Sequence, residues 1–161
     1  MAIAPRLSPE LLGPADLDNC LSLDARALDR LWNATQWTTE LEDPRRPCMG
    51  LKQENHLVAL ACGWLVADEL HITAVAVDPE QRRRGLGRIV LQGLLREGAC
   101  HGAAHATLEV SSANSAALKL YASAGFKTAG VRRAYYRNGD DALIQWLRLD
   151  VGDQVRITGH S

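Results

Sequence analysis

One segment near the middle of this chain restricts its possible folds more than any other. Residues 70–77 form an apolar, β-prone run that ends at Asp78-Pro79, and apolar side chains recur at helical spacing from Leu86 onward. Residues 104–110 then have the composition of another strand. A strand, a helix and a strand in this order require the two strands to be parallel, because only a long crossover returns the chain in the same direction. We therefore expect a sheet with at least one parallel pair.

The flanking segments predict antiparallel strands. Residues 48–52 and 56–67 are strand-like, and a tight turn at Asp68-Glu69 leads into the run at 70–77. Residues 126–137 and 142–149 predict a hairpin that turns around residues 138–140, Asn-Gly-Asp. The sequence therefore indicates the α/β (α+β) class, with a mixed sheet and helices on both of its faces.

The first fifty residues predict one strand and two helices. Residues 3–7 are a possible short first strand. A helix opens at residues 14–16, Pro-Ala-Asp, and its apolar positions are Leu17, Leu21, Ala25 and Leu28. Thr38 or Thr39 is expected to cap a second helix that ends before Pro44.

The end of the chain predicts one more helix and a tail. Residues 114–124 predict a short helix with Gly125 as its C-terminal cap. Residues 150–161 are polar and predict a frayed tail. We therefore expect a single domain over residues 1–149.

Composition excludes several classes of function. The chain has 161 residues, of which 47% are hydrophobic and 23% charged, and its formal net charge is −1. This balance argues against general binding to nucleic acid or to a membrane surface. The N-terminus does not resemble a signal peptide, and the longest apolar stretch, residues 57–67, is too short to span a membrane. We expect a cytoplasmic protein that is a monomer.

Cysteines and histidines predict neither disulfides nor a metal site. The four cysteines are widely spaced without a Cys-x-x-Cys pair, so they are expected to be reduced and buried: Cys20, Cys48, Cys62 and Cys100. The five histidines lack ligand spacing with cysteines or carboxylates. We expect no metal.

A loop with the composition of a phosphate-binding site follows Pro79. Gly85 and Gly87 stand where this loop becomes a helix, and a helix N-terminus attracts anions through its free backbone N–H groups. Glycines let that backbone approach a phosphate closely because they have no Cβ. Four arginines within residues 82–88 strengthen the preference for a polyanion. A basic helix start without a ligand is the alternative interpretation.

Two familiar nucleotide motifs do not fit this loop. A Walker loop requires Gly-Lys-Ser/Thr, whereas residues 87–89 are Gly-Arg-Ile. A dinucleotide fingerprint requires a third glycine where Val90 stands, and its glycines follow the strand directly. What remains is Arg82-x-x-Gly85-x-Gly87.

This pattern resembles the Arg/Gln-x-x-Gly-x-Gly/Ala signature of the GNAT acetyltransferases, and the resemblance extends over residues 70–149. The run from Leu108 to Phe126 is similar to the family's Leu-Glu-Val…Asn-x-x-Ala-x-x-Leu-Tyr-x-x-x-Gly-Phe segment. Residues 131–136 and the Asp-Asp-Ala at 140–142 resemble the Arg-x-Tyr-Tyr…Asp-Ala pattern of N-terminal protein acetyltransferases of the RimI type.

The resemblance implies a GNAT fold, with a mostly antiparallel sheet of about seven strands and a splayed parallel strand pair. It also implies that acetyl-coenzyme A is the cosubstrate. Its pyrophosphate would bind the loop, and its pantetheine arm would lie along the preceding strand and contact an asparagine. The cofactor-binding residues implied are Val75, Ala76, Val77, Arg82, Arg83, Arg84, Gly85, Leu86, Gly87, Arg88 and Asn114.

The resemblance also assigns catalytic and substrate-binding roles. Glu109, inside an otherwise apolar strand, would be the proton acceptor, and burial would raise its pKa toward a useful range. Tyr121 would be the general acid that protonates the departing thiolate. Tyr135 and Tyr136 would form the slot for the acceptor peptide. The structural alternatives are a solvent-facing glutamate, a core tyrosine and a cross-strand aromatic pair.

Three functions remain open from the sequence. The first is transfer of an acetyl group to the N-terminal amine of a protein, with the N-terminal alanine of a small-subunit ribosomal protein implied by the resemblance. A peptide α-amine, with a pKa of about 7.7–8.0, is easier to deprotonate than a lysine side chain near 10.4. The second is acetylation of a small-molecule amine or of lysine. The third is a non-catalytic module that binds coenzyme A.

Overall fold

A computed structural model describes residues 7–149. Nearly all of the first strand predicted at residues 3–7, and the tail predicted at 150–161, lie outside these residues. The elements in chain order are β1 (Glu10–Leu11), α1 (Leu17–Ala27), α2 (Ala34–Glu42), β2 (Cys48–Gln53), β3 (His56–Val66), β4 (Glu69–Val77), α3 (Leu86–Cys100), β5 (His105–Ser111), α4 (Ser115–Ser123), β6 (Lys127–Arg132) and β7 (Ala142–Arg148). Short 3₁₀ turns at Pro14–Asp16 and Pro79–Gln81 precede α1 and follow β4.

The seven strands form one mixed sheet in the order β1-β2-β3-β4-β5-β7-β6. β4 and β5 are parallel, whereas β1–β2, β2–β3, β5–β7 and β6–β7 are antiparallel. The predicted mixed sheet of seven strands is confirmed.

The parallel ladder between β4 and β5 is short. It runs from Glu69↔His105 to His71↔Thr107, although β4 has nine residues and β5 has seven. Among residues 7–149, the carboxyl-terminal parts of both strands therefore lie beyond this ladder. A ladder that stops early is what a splayed parallel pair requires.

The fold divides into two compact units. The first comprises the chain up to Gly63 together with Ala74–Leu94, and the second comprises Trp64–Thr73 together with the chain from Leu95. The core of the first unit joins α1 and α2 to β2, β3 and the end of β4, and its buried members are Leu12, Cys20, Leu23, Trp37, Leu41, Cys48, Leu57, Leu60, Cys62, Ala74 and Ala76.

A buried carboxylate organises the connection between α1 and α2 in the first unit. Asp24 is 1% exposed and accepts hydrogen bonds from the backbone N–H groups of Leu31 and Trp32, at 2.7 and 3.0 Å, and from Trp37 Nε1 at 2.6 Å. Three donors satisfy the charge that burial would otherwise penalise. The predicted helix is confirmed, but its most buried side chains are Cys20, Leu23 and Asp24, and Ala25 is exposed.

The predicted cap of α2 was wrong. Asn33 caps the helix by accepting from the backbone N–H of Gln36 at 2.8 Å, and the Gln36 side chain accepts from Asn33 in return. Thr38 and Thr39 lie inside the helix and donate to carbonyls four residues earlier. Asn-x-x-Gln is the capping-box signal that points to the true start. The helix ends before Pro44, as expected.

In the second unit, one predicted turn is displaced, and the first strand of the predicted hairpin is shorter than expected. The turn before β4 lies at Ala67-Asp68, one residue earlier than predicted, and Ala67 has a φ of +53°. β6 ends at Arg132 and not at residue 137, so residues 133–141 form a loop. Ala134, with a φ of +50°, turns the chain out of the strand, and its N–H donates to the Asp141 carboxylate at 2.8 Å.

Three of the four cysteines are buried as predicted, whereas Cys100 is exposed. None of the helices described within residues 7–149 combines the length and apolar character that a membrane crossing demands.

Candidate active site

The loop after β4 is anchored in the first unit by Asp78. This buried carboxylate accepts from the backbone N–H of Glu80 at 3.0 Å and forms an ion pair with Arg26 of α1. The Asp78 backbone N–H donates to the Val58 carbonyl at 2.8 Å. The Glu80 N–H, followed by Arg26, holds the pKa of Asp78 below its usual range against the opposing effect of burial. The start of the loop is thus fixed to both the sheet and a helix.

Two left-handed residues bend this loop toward α3. Arg83 has a φ of +67° and Gly85 has a φ of +75°. Because a positive φ strains residues that have a Cβ, glycine avoids this strain at position 85. A Cβ at Gly85 would meet nothing within 4 Å, so there is open space beside the backbone. The Gly85 carbonyl accepts from Ile89 at 3.2 Å in the first turn of the helix. Open backbone at a helix start is suited to a phosphate group.

Most side chains of this loop face solvent. Arg82, Arg83, Arg84, Gly85 and Arg88 are exposed, whereas Leu86 is 4% exposed and anchors the helix. Arg84 hydrogen-bonds Gln81 across the loop. The exposed arginines place positive charge around the open backbone, as the sequence predicted.

The strand that leads into the loop alternates strictly in burial. Ala74 and Ala76 are 8% and 4% exposed and pack in the core, whereas Val75 and Val77 are half-buried on the opposite face. Val75, Ala76 and Val77 all lie past the end of the parallel ladder.

In the second unit, Glu109 lies on the half-buried face of β5, and its side chain is 22% exposed. The structure does not show the burial expected from the apolar neighbours, because alternate residues of the strand point to opposite faces. Instead, Glu109 Oε1 lies 3.5 Å from Arg132 Nε, and the carboxylate raises the pKa of the Tyr135 phenol. Because part of its side chain is exposed, the Glu109 carboxylate is accessible to an incoming amine.

Tyr121 and Tyr136 are electrostatically coupled. Tyr121 is 8% exposed, and its ring packs edge-on against Phe126 with 5.7 Å between centroids. Burial, together with the nearby Tyr136, raises the pKa of Tyr121 to about 12. Burial, followed by the charge of Glu109, also raises the pKa of Tyr136. Tyr121 is therefore a protonated phenol at neutral pH, which is the form that a general acid requires.

The two adjacent tyrosines of the predicted slot contact each other. The rings of Tyr135 and Tyr136 are edge-to-face, with centroids 5.1 Å apart, and Tyr135 is 52% exposed. Their loop is held by two aspartates: Asp140 accepts from Ser111 Oγ at 3.1 Å, and Asp141 accepts from Ala134. The Asp-Ala pattern of the sequence thus corresponds to a loop anchor.

Asn114 caps α4, as the sequence indicated. Its Oδ1 accepts from the backbone N–H of Ala117 at 3.1 Å. This bond leaves the two amide hydrogens of the side chain available to another acceptor.

The second unit therefore gathers Glu109, Tyr121, Tyr135 and Tyr136 into one cluster. Sequence reasoning assigned no role to two charged residues of these sites, Arg132 and Asp78. Asp78 had a signal, because an aspartate before proline is a favoured start of a turn. Within residues 7–149, no group of three or more His, Cys, Asp or Glu side chains is arranged to hold a metal ion.

The fold agrees with the comparison to known families. The family model described as "Acetyltransferase (GNAT) family" matches residues 16–126, and the chain belongs to this family. It is an acetyl-coenzyme A-dependent N-acetyltransferase.

Individual relatives match this chain over most of its length. The ribosomal protein bS18-alanine N-acetyltransferase of Escherichia coli (strain K12) is 34% identical over 143 residues, which are 87% of this chain and 96% of that protein. N-alpha-acetyltransferase RimI of Mycobacterium tuberculosis is 36% identical over 146 residues, which cover 86% of this chain and 89% of that one. The crystal structure of the ribosomal-protein-S18-alanine N-acetyltransferase from Escherichia coli matches with a TM-score of 0.81, covering 89% and 94% of the two chains at 33% identity.

Proposed function

We propose that this enzyme transfers the acetyl group of acetyl-coenzyme A to the N-terminal amine of a protein, namely the N-terminal alanine of ribosomal protein bS18, in the cytoplasm. The relatives from Escherichia coli and Mycobacterium tuberculosis, which it matches over most of their lengths, carry names with this acceptor or this chemistry. The observation that carries the proposal is the placement of a partly exposed carboxylate, Glu109, beside Arg132, whose guanidinium lies over the first ring of the Tyr135–Tyr136 pair.

Glu109 is the general base of the proposed reaction. A terminal α-amine with a pKa of about 7.7–8.0 is partly neutral near pH 7, so a carboxylate, directly or through one water, suffices to take its proton. The neutral nitrogen then attacks the thioester carbonyl carbon and forms the new C–N bond. The exposure of Glu109 supports this role because the amine must reach the carboxylate from solvent.

Tyr121 is the general acid of the same reaction. When the C–S bond of the thioester breaks, the phenol donates its proton to the sulfur of coenzyme A. The second proton that the attacking nitrogen must lose to become an amide nitrogen returns through water to the phenolate. Its pKa of about 12 keeps the phenol protonated until the thiolate forms. Tyr135 and Tyr136 offer two hydroxyl groups and two aromatic edges to the acceptor backbone and its first side chain.

Acetyl-coenzyme A is held by the loop from Arg82 to Arg88. The backbone N–H groups near Gly85 and Gly87 bind the pyrophosphate, and the exposed arginines add positive charge. The pantetheine amides hydrogen-bond the backbone of Val75, Ala76 and Val77, as an added strand does. The side-chain amide of Asn114 is a further donor for the cosubstrate.

The test is an acetylation assay with matched peptides. One peptide has the N-terminal sequence of bS18 with a free alanine amine, and a second has the same sequence with a blocked N-terminus and an internal lysine. With acetyl-coenzyme A, we expect mass spectrometry to find acetyl transfer to the first peptide alone. Equal turnover of the blocked, lysine-containing peptide would overturn the proposed acceptor.

The catalytic assignment needs its own variants. Glu109→Gln and Tyr121→Phe should each lower kcat by about 10²–10⁴-fold, the range of a lost acid or base. Acetyl-coenzyme A binding, measured by calorimetry, should change little in both variants. Full activity in either variant would remove that residue from the mechanism.

A further inference from the structure

We propose that Arg132, at the end of β6, is a positioning residue that holds Glu109 and Tyr135 in a fixed mutual arrangement; this rests on the proposed roles of those two residues. Arg132 Nε lies 3.5 Å from Glu109 Oε1, and its guanidinium carbon lies 6.0 Å from the centre of the Tyr135 ring. The three side chains therefore form a triangle in which Arg132 is the member that contacts both of the others.

The strand register explains how this triangle forms. Glu109 on β5 faces Ile144 on β7, and Ile144 faces Gly130 on β6. Arg132 lies two residues further along β6, so its side chain extends back across the central strand to reach the carboxylate. Only a long side chain spans this distance. At Gly130, a Cβ would lie 3.3 Å from Cδ1 of Ile144, so the Ile144 side chain occupies the space between Gly130 and Glu109.

Neither partner is fully enclosed by packing. Glu109 is 22% exposed and Tyr135 is 52% exposed, so both side chains have solvent around them. A planar guanidinium can pair with a carboxylate and lie over an aromatic ring simultaneously, whereas a lysine ammonium offers only a point charge. Arg132 is thus suited to restrict both side chains at once.

The ion pair between Arg132 and Glu109 is too weak to contribute much to the free energy of unfolding. Arg132 is itself 55% exposed, and exposed ion pairs at this distance add little to folding stability. Its effect should therefore appear in catalysis and not in unfolding. This expectation separates a positioning role from a stabilising one.

The chain offers a matched control in the neighbouring arginine. Arg133 is also exposed, and Arg133→Gln removes the same charge from the same end of β6. Arg132→Gln should lower kcat/KM for the free-alanine peptide about tenfold, which corresponds to the loss of one favourable contact of about 1.4 kcal/mol. Arg133→Gln should change it less than about twofold, as expected for a surface charge without a contact. Arg132→Lys should recover part of the loss, because it retains the charge without the planar group.

Two further measurements test whether Arg132 acts through Glu109. The loss in Arg132→Gln should fall on kcat and on KM for the peptide, with KM for acetyl-coenzyme A and the urea midpoint unchanged. In a Glu109→Gln background, Arg132→Gln should have no further effect beyond about twofold, because residues that act as a unit are not additive.

Equal losses in Arg132→Gln and Arg133→Gln would overturn the proposal, as would a full tenfold loss in the Glu109→Gln background. A failed acceptor assignment would look different. If the wild type acetylates only the blocked lysine peptide, the proposed acceptor is wrong, but the same series of variants can be measured with that peptide and still decides the role of Arg132.

Discussion

The Glu109 carboxylate influences how Tyr135 titrates at the protein surface. Hydrogen bonding of the phenol to this carboxylate, followed by the negative charge of Glu109, raises the pKa of Tyr135. The neighbouring Arg132 opposes them. A residue-scale contact is therefore measurable without any assay of activity.

Glu109→Gln should lower the pKa of Tyr135 toward the ordinary tyrosine value. The amide removes the negative charge that opposes formation of the tyrosinate. The chain has three tyrosines, so carbon-13 NMR of labelled tyrosine rings can follow each of them. Glu97→Gln, a change of equal charge elsewhere in the second unit, serves as control. An unchanged Tyr135 titration in Glu109→Gln would show that the hydrogen bond is not formed in solution.

Asp24 is the residue on which the α1–α2 connection depends most. Asp24→Asn replaces one acceptor oxygen with an amide that donates, so at least one of its three buried donors loses its partner. We expect a loss of about 1–3 kcal/mol in the free energy of unfolding, measured with urea. Asp29→Asn, at an exposed position just beyond the helix, should change it by less than about 0.5 kcal/mol. Equal stability of the two variants would contradict the anchoring role.

At the scale of elements, the start of α3 and the start of α4 serve different purposes. The start of α3 presents open backbone and exposed cations, whereas the start of α4 is closed by the Asn114 cap. The same physical property, a row of free N–H groups at a helix start, is left available in one helix and satisfied in the other.

Gly85→Glu tests the phosphate-binding loop. A glutamate side chain would place negative charge and bulk beside the open backbone, so we expect KM for acetyl-coenzyme A to rise at least tenfold, or about 1.4 kcal/mol. Gly102→Glu is a matched control, because Gly102 also has a positive φ, of +93°, and open space around its Cβ. Both variants should lose a similar stability of about 1–2 kcal/mol from the left-handed backbone. Equal KM values for the two would refute the loop as the binding site.

Two variants of Asn114 distinguish its role as a helix cap from a role in cosubstrate binding. Asn114→Ala removes the cap and should lower the free energy of unfolding by about 0.5–2 kcal/mol. Asn114→Asp keeps a capping oxygen and should stay near wild-type stability, but it loses the amide donors. If the amide contacts the pantetheine arm, Asn114→Asp alone should raise KM for acetyl-coenzyme A at normal stability. An unaltered KM would confine Asn114 to its role as a cap.

At the scale of the whole molecule, two aspartates of the first unit link stability to pH. Asp78 has a lowered pKa because of the Glu80 N–H and Arg26. Burial opposes the same shift at Asp16, but hydrogen bonds from Lys52 and from the Gly13 N–H outweigh it and lower the pKa. A carboxyl group with a lowered folded-state pKa stabilises the protein above its ordinary value of 3.8, and this contribution is lost as pH falls through the folded-state pKa.

The double variant Asp16→Asn/Asp78→Asn should therefore be less stable than wild type at pH 7, and the difference should shrink as pH falls below about 4. Urea unfolding followed at a series of pH values measures both effects. Asp18→Asn/Asp29→Asn, at two exposed positions, is the control of equal charge change. A stability difference that is constant from pH 7 down to acid pH would exclude this linkage.

Local patterns predicted most elements of the fold because their signals lie within a few residues. The apolar run at 70–77, the helical period from Leu86 and the cap-and-glycine pair at Asn114 and Gly125 all gave elements that the structure confirms. The errors also have local causes. Thr38 and Thr39 are residue types that cap helices, but the capping box between Asn33 and Gln36 fixes the start of α2 five residues earlier than Thr38.

Residue types at fixed short spacings were enough to predict the family, the sheet with its parallel pair, and the loop at 82–88. The partial burial of Glu109 and the reach of Arg132 to it across β7 became visible only in the folded chain. The tertiary structure also decided that Asp78 binds Arg26 from 52 residues away. Such contacts depend on strand register and on the packing of helix against sheet, which no local pattern encodes.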